Sequence, residues 1–294
     1  MKLLRVGAKG RETPAAIDAQ GVLRDLSAMV RDIDGELLND PAALGAVRGA
    51  LASGTLPEVD AGARIGAPIV KPGKVIGVGL NYTDHAAAIG ATIPERPVVF
   101  LKPGTTVSGP YDAIELPLGA ATTDHEVELG VVIGRRLHDC PDAATALGAV
   151  GGYVTANDVT ERDGIAGEPT WVKGKSFDTF TPIGPWLVTP DEVAEPQSLS
   201  LQLWVNGEQR QAGSTGDMVA GVGELLVYLS SLMTLEPGDL ILTGTPAGVA
   251  ISRPEPKPYL RDGDVIVAEV AGLGRQQTLA TGLRKQARPH LENV

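Results

Sequence analysis

The sequence predicts a mainly β protein of the α+β class: a small N-terminal α+β unit over residues 1–68 and a β-rich main domain over 69–294. Three observations predict it. Short apolar runs bounded by turn residues recur from Val75 to Val270. Glycine (37) and proline (22) are plentiful while aromatics make up 4% of the 294 residues, a composition that suits many strands and turns. Helical spacing is confined to a few stretches.

Residues 1–6 read as an edge strand, and 16–26 as a hairpin turned at Gln20-Gly21. A helical stretch carrying Ala42, Leu44 and Val47 follows, then a loop at Gly54-Thr55-Leu56-Pro57. In the main domain, strands are expected at 75–78, 98–101, 127–133, 153–156, 201–205, 240–243 and 265–270, with Asn206-Gly207 as a hairpin turn. Helices are expected at 142–147 and 219–233. In the second, Val222, Leu225, Leu226, Leu229 and Leu232 fall on one face and read as core packing. The polar loop 213–218 before it reads as an N-cap.

The hydrophobic fraction of 43% and charged fraction of 21% are those of an ordinary globular protein. A net charge of −11 without a basic patch argues against nucleic acid and anionic membrane as partners. The single cysteine, Cys140, excludes an internal disulfide and a cysteine-rich metal site. The N-terminus has charge but no apolar stretch behind it, and no segment approaches the ~20 apolar residues of a membrane span, so a cytoplasmic location is expected.

The chemistry-bearing signal is acidic. In the run 124–134, Val127, Leu129, Val131 and Ile133 share one parity and Glu126 and Glu128 the other. A strand has a side-chain period of two, so both glutamates point to one face. Two like charges side by side repel unless protonated or bridged by a cation. Asp158 ends the next apolar run, 152–158. Oxygen-only ligands select Mg2+, Mn2+ or Ca2+ over Zn2+, and three carboxylates leave roughly half of an octahedral shell open. A 2-oxo acid, with two adjacent oxygens, is the natural guest. Taken alone, Glu-x-Glu also suits a solvated strand face.

Five ordered segments are more specific than that pair. Residues 75–85, 124–134, 157–163, 174–180 and 242–249 resemble, in order and approximate spacing, the catalytic domain of the fumarylacetoacetate hydrolase (FAH) family, from about residue 70 to 285. The N-terminal region is similar to the small domain of bacterial members, in a branch labelled 2,4-dioxo-3-deoxy sugar-acid hydrolase or ureidoglycolate lyase. The resemblance implies a mostly antiparallel, twisted β-roll with few helices, a homodimer, and Mg2+ or Mn2+ held by Glu126, Glu128 and Asp158. It implies C–C bond hydrolysis in a 2,4-dioxo acid (an acylpyruvate or a 2,4-dioxo-3-deoxy sugar acid) with release of pyruvate. Other members decarboxylate or tautomerise oxaloacetate, or isomerise dioxo acids.

His85 matches the family's water-activating histidine, since an imidazole can take a proton near neutral pH. The family carries a glutamate three residues later; this chain has Ala88, and Glu95 is a poorly spaced substitute. Without that carboxylate the imidazolium loses a stabilising partner. The departure favours chemistry that needs only an enolate, and it also admits a non-catalytic relative. Lys175 is expected to offset the enolate's charge. Arg162 is expected either to grip the substrate carboxylate with its fork of donors or to anchor its loop through Asp163. By resemblance, Thr245 bonds the substrate carboxylate. Tyr82 and Lys102 are placed near the site, where a structural role suits both, Tyr82 also standing as a substrate-binding candidate. The turn 244–248 lacks the Gly-Lys-Ser/Thr ending of a phosphate loop, which argues against nucleotide binding. The Gly-containing segment 161–171 is expected to form a lid that orders on substrate binding.

Overall fold

The structure, a computed structural model, describes residues 1–282; the expected end of the main domain at 294 lies outside the described residues. Nine strands form the central sheet, in the order Leu23–Asp25, Thr13–Ile17, Lys2–Val6, Leu187–Val188, Val150–Asn157, Val127–Ile133, Leu240–Leu242, Val75–Gly79 and Val98–Lys102. All neighbours are antiparallel except Leu240–Leu242 beside Val75–Gly79. A second sheet runs Glu208–Ser214, Ser200–Val205, Val265–Val270, Gly274–Gly282 and Ile114–Leu116, with only its last pair parallel. This is the mostly antiparallel β architecture expected. The Asn206-Gly207 hairpin is present: Val205 pairs Glu208, and both turn residues have positive φ (51° and 81°), as a type I′ turn requires.

Residues 1–68 supply the first three strands of the central sheet. Lys2–Val6, expected at an edge, is an interior strand with Thr13–Ile17 on one side and Leu187–Val188 on the other. Its sequence explains this: Leu3, Leu4 and Val6 are all buried, so both faces are covered, and Arg5 is neutralised by Asp32 at 2.6 Å. One apolar cluster joins Met1, Leu3 and Ala16 to Val132, Val154 and Leu240 across the 68/69 boundary.

All seven residues of Val127–Ile133 are buried. Their alternation therefore separates two interior layers, not core from solvent. Val127, Leu129, Val131 and Ile133 pack into the larger cluster with Leu225, Leu226 and Leu229 of the helix Val222–Leu232; Val132 packs into the cluster with the N-terminal strands. Glu128 lies on the second side and is buried.

The expected helices form with trimmed ends, as Pro41–Ser53, Ala143–Leu147 and Val222–Leu232. Asp40 caps the first by accepting from the Ala42 and Ala43 amides, and Asp142 caps the second. Ser214 in the polar loop caps a 3-10 turn, Thr215–Asp217, short of the helix. Thr83–Ala88 and Val172–Lys175 are helices that the sequence did not announce. Pieces this short owe their form to packing more than to propensity, and they carry His85 and Lys175. No helix among the described residues is long and apolar enough to cross a membrane.

Candidate metal and active site

The antiparallel ladder assembles the acidic trio. Ala156 pairs Glu128 and Asn157 pairs Val127, so the chain leaves the Val150–Asn157 strand beside Glu126. There the Asp158 amide donates to the Glu126 carbonyl (2.8 Å) and the Asn157 side chain accepts from the Glu126 amide (2.9 Å). Carboxylate oxygens of Glu126, Glu128 and Asp158 lie within 4.8 Å of one another, and all three side chains are buried.

Three cations surround them. Lys175 Nζ donates to Glu126 Oε2 (2.7 Å) and Asp158 Oδ2 (2.5 Å). Lys102 Nζ donates to Asp158 Oδ1 and to the Phe180 carbonyl (2.8 Å). Arg162 donates from Nε to Asp124 Oδ2 (2.9 Å) and from Nη2 to Glu126 Oε1 (2.6 Å). Burial alone raises the Glu126 carboxyl, but Lys175, Arg162 and His85 outweigh it and bring it down to about 2. Glu128 is the opposite case. Burial first, then Asp158 and Glu126, push its carboxyl well above the ordinary range, and its one donor is the Gly244 amide at 2.7 Å. Gly244 reaches that position with φ +98°, where a Cβ would lie 2.9 Å from Asn81 Cβ, so glycine is required.

With Asp124 included, four buried carboxylates meet three cations. The carboxyl left without a cationic partner is Glu128, which can ionise only if a cation joins it. An all-oxygen trio so arranged fits a hard divalent cation, with Glu126, Glu128 and Asp158 as its holders.

A cavity of about 120 Å³ opens on the trio, bordered also by His85, Arg162, Lys175, Gly244 and Thr245. His85 is buried; its Nδ1 has no hydrogen-bond partner, and burial is the main cause lowering its pKa. Ala88, one turn on, supplies no carboxylate. Glu95 is exposed and does not line the cavity. The Asp84 carboxylate accepts from the His85 amide (2.6 Å) and the Ala247 amide (3.1 Å), tying the histidine's helix to the turn after Leu240–Leu242.

Other expected positions take different parts. Arg162 does not anchor its loop through Asp163: its fork grips Asp124 and Glu126, and the residue borders the cavity. The Thr245 hydroxyl borders the cavity but donates to the Val127 carbonyl (2.8 Å) and accepts from Gln211 Nε2 (2.7 Å). Tyr82 is fully buried, its hydroxyl has no partner, and it does not border the cavity. The segment expected as a lid begins with a 3-10 turn, Arg162–Gly164, and places Ile165 and Trp171 on the cavity wall.

Sequence reasoning passed over two residues of this network, Asp124 and Gln211, and placed Lys102 near the site without giving it a partner. Asp124 orients Arg162 while accepting from the Ala250 and Ile251 amides (2.7 and 3.0 Å). Lys102 neutralises Asp158. Gln211 bridges the Val127 amide and Thr245. Asp124 had a signal, since it opens the same acidic run; Gln211, on a hairpin strand distant in sequence, had none.

The fumarylacetoacetate (FAA) hydrolase C-terminal family matches residues 74–279. A Burkholderia multivorans protein whose name says only that it is taken for a hydrolase is 51% identical over 97% of this chain and its own full length. The 5-carboxymethyl-2-hydroxymuconate delta-isomerase of Mycobacterium smegmatis is 34% identical with a TM-score of 0.76, covering 97% of this chain and all of that one. The maleylpyruvate hydrolase of Sphingobium sp. SYK-6, solved with manganese(II) and pyruvate, is 29% identical with a TM-score of 0.80 over the same shares. The chain belongs to the fumarylacetoacetate hydrolase family, whose members include hydrolases and isomerases.

Proposed function

We propose that this protein is a divalent-metal-dependent hydrolase that cleaves the C3–C4 bond of a 2,4-dioxo acid, an acylpyruvate or a 2,4-dioxo-3-deoxy sugar acid, and releases pyruvate. One observation carries the reading: a buried acidic trio, one member of which has no cationic partner, shares a cavity with a buried histidine whose Nδ1 is unpartnered and whose pKa burial lowers. Manganese and pyruvate in the maleylpyruvate hydrolase support the same assignment here. Mg2+ or Mn2+, bound at Glu126, Glu128 and Asp158, would polarise the 2-oxo group and favour negative charge on its oxygen.

The chain's own residues do the rest. His85 takes a proton from water as the water oxygen bonds to C4. The C3–C4 bond then breaks, its electron pair passing to C3 to give the pyruvate enolate, and the acyl half leaves as a carboxylic acid. Lys175, held by Glu126 and Asp158, keeps an ammonium beside the developing enolate. A proton returning to C3 completes pyruvate. Charge balance suits this guest: with a dication in place the cluster carries one surplus positive charge, which a single substrate carboxylate cancels.

The test is pyruvate release by the purified protein with Mg2+ or Mn2+ from a panel of acylpyruvates and 2,4-dioxo-3-deoxy sugar acids. No pyruvate from any of them ends the hydrolase reading. A second reading, tautomerisation or decarboxylation of oxaloacetate or isomerisation of a dioxo acid, rests on Ala88: these reactions need the enolate but no attacking water. Following oxaloacetate loss and enol absorbance separates the two, and flat traces for both remove the second. Ala88→Glu tests a third reading, a non-catalytic relative: turnover only in that variant would establish it.

A further inference from the structure

The cavity has two kinds of lining. Besides the trio and its cations, apolar side chains border it: Ile89, Phe100, Ile165, Trp171 and Ile251. The two aromatic rings are built in. A Cβ on Gly77 would lie 2.1 Å from Phe100 Cζ, and one on Gly79 would lie 2.0 Å from a ring carbon of Trp171, so two bare glycines of Val75–Gly79 let both rings lie against the strand. The rings pack on each other with centroids 5.6 Å apart and planes at 54°. Lys175 Nζ sits 5.1 Å from the Phe100 centroid, so the apolar wall starts directly beside the ammonium assigned to the enolate.

Polar side chains free to serve a polar substrate arm are few among the described residues that border this cavity: the His85 ring, assigned to water, the Trp171 indole N–H and Arg162 Nη1. Lys175, and Arg162 through Nε and Nη2, are committed to Glu126, Asp158 and Asp124. The only side-chain hydroxyl, on Thr245, gives its proton to Val127. A buried carboxylate or hydroxyl without a partner is costly. A second substrate carboxylate would also return the cluster to excess negative charge once the dication and the first carboxylate are bound.

Resting on the hydrolase reading above, we propose that the substrate arm beyond C4 is a hydrocarbon group, aromatic or branched aliphatic, packed against Phe100 and Trp171. Arms ending in a carboxylate or bearing a polyol are disfavoured. The site thus selects acylpyruvates over dioxo-dicarboxylates and over 2,4-dioxo-3-deoxy sugar acids.

The experiment compares kcat/KM, by pyruvate release with Mg2+, for 4-phenyl-2,4-dioxobutanoate, 2,4-dioxopentanoate, a 2,4-dioxo-dicarboxylate of similar length and a 2,4-dioxo-3-deoxy sugar acid. The phenyl substrate is expected to exceed the dicarboxylate and the sugar acid by ~100-fold or more, because unpaired polar groups discriminate strongly. Trp171→Ala is expected to lower the phenyl-to-methyl ratio of kcat/KM about 10-fold, the size of a lost aromatic contact. Equal or better turnover of the dicarboxylate or sugar acid overturns the inference while leaving the hydrolase reading intact. Absence of pyruvate from all four removes that reading instead. Calorimetric titration of the same compounds with Mg2+ present then decides the arm alone: tighter binding of the phenyl compound supports the inference, and no binding or the reverse order overturns it.

Discussion

Two acidic clusters in this molecule are made of similar materials and partnered differently. Near the N-terminal strands, Arg64 grips Asp112 through Nε (2.8 Å) and Nη2 (2.5 Å) and reaches Glu12 from Nη1 (2.8 Å), while Arg5 holds Asp32. Each of these carboxylates has a guanidinium partner. Burial works against the Asp112 charge, but Arg64 outweighs it and lowers its pKa. At the cavity, Glu126 and Asp158 have cationic partners and Glu128 has only the Gly244 amide. The first cluster closes on itself. The second leaves Glu128 without a cationic partner, the arrangement in which an added metal ion has a place to bind.

The largest expected effect breaks the incompletely partnered cluster. Glu128→Ala should lower kcat/KM by ~1000-fold or more, since several kcal/mol of charge stabilisation goes with the ion. The same variant supplies a readout apart from activity. Saturating Mn2+, at a hundredfold over Kd, should stabilise the natural protein by about 2.7 kcal/mol, raising Tm by roughly 5–10 °C, and leave the variant unmoved. An equal Mn2+ shift in both would remove Glu128 from the ligand set.

Lys175→Met should cost about 100- to 1000-fold in kcat, the range for one lost stabiliser of developing charge. A rate loss confined to KM would make Lys175 a binding group. His85 gives a smaller, pH-dependent signature. Its pKa is lowered from 6.5, mainly by burial, and the base must be neutral, so kcat/KM should stay flat through pH 7 and fall only below 6.5. His85→Gln should lose roughly 100-fold and that acid limb with it. A limb above pH 6.5, or one kept in the variant, points to a different base.

The smallest effect sharpens the contrast from the fully partnered side. Arg64→Ala should lower stability by roughly 1–2 kcal/mol in denaturant melts and leave kcat unchanged. Because the folded-state pKa of Asp112 is depressed, that contribution is complete above pH 3.8 and fades as pH falls further. A loss of turnover here would mean that the two clusters are coupled.

The sequence shows the trio because its spacing is local. Glu126 and Glu128 are two apart, and Asp158 ends the adjacent run that becomes the neighbouring strand. What it hides is set by packing at long range. Val127, Leu129, Val131 and Ile133 announce a strand with two faces, but only the tertiary layers reveal that both are buried. The edge assignment of residues 1–6 failed because Leu187–Val188 pairs with them from far along the chain. Arg162 was legible as a fork, but its targets Asp124 and Glu126 lie 38 and 36 residues away. Thr83–Ala88 and Val172–Lys175 are too short to carry periodicity, so the helices that present His85 and Lys175 left no pattern to read.

The two linings of the cavity hang from unequal supports. The acidic trio is pinned by paired strands deep in the central sheet, whereas Ile165 and Trp171 bracket a surface connection with turns at Glu168 and a left-handed Gly167. Exchanging side chains along 165–171 leaves the ladder untouched. If the proposed hydrolase function holds, evolution can retune which acyl groups are accepted while the acidic trio is inherited unaltered, and a laboratory library aimed at new substrates belongs in those seven positions.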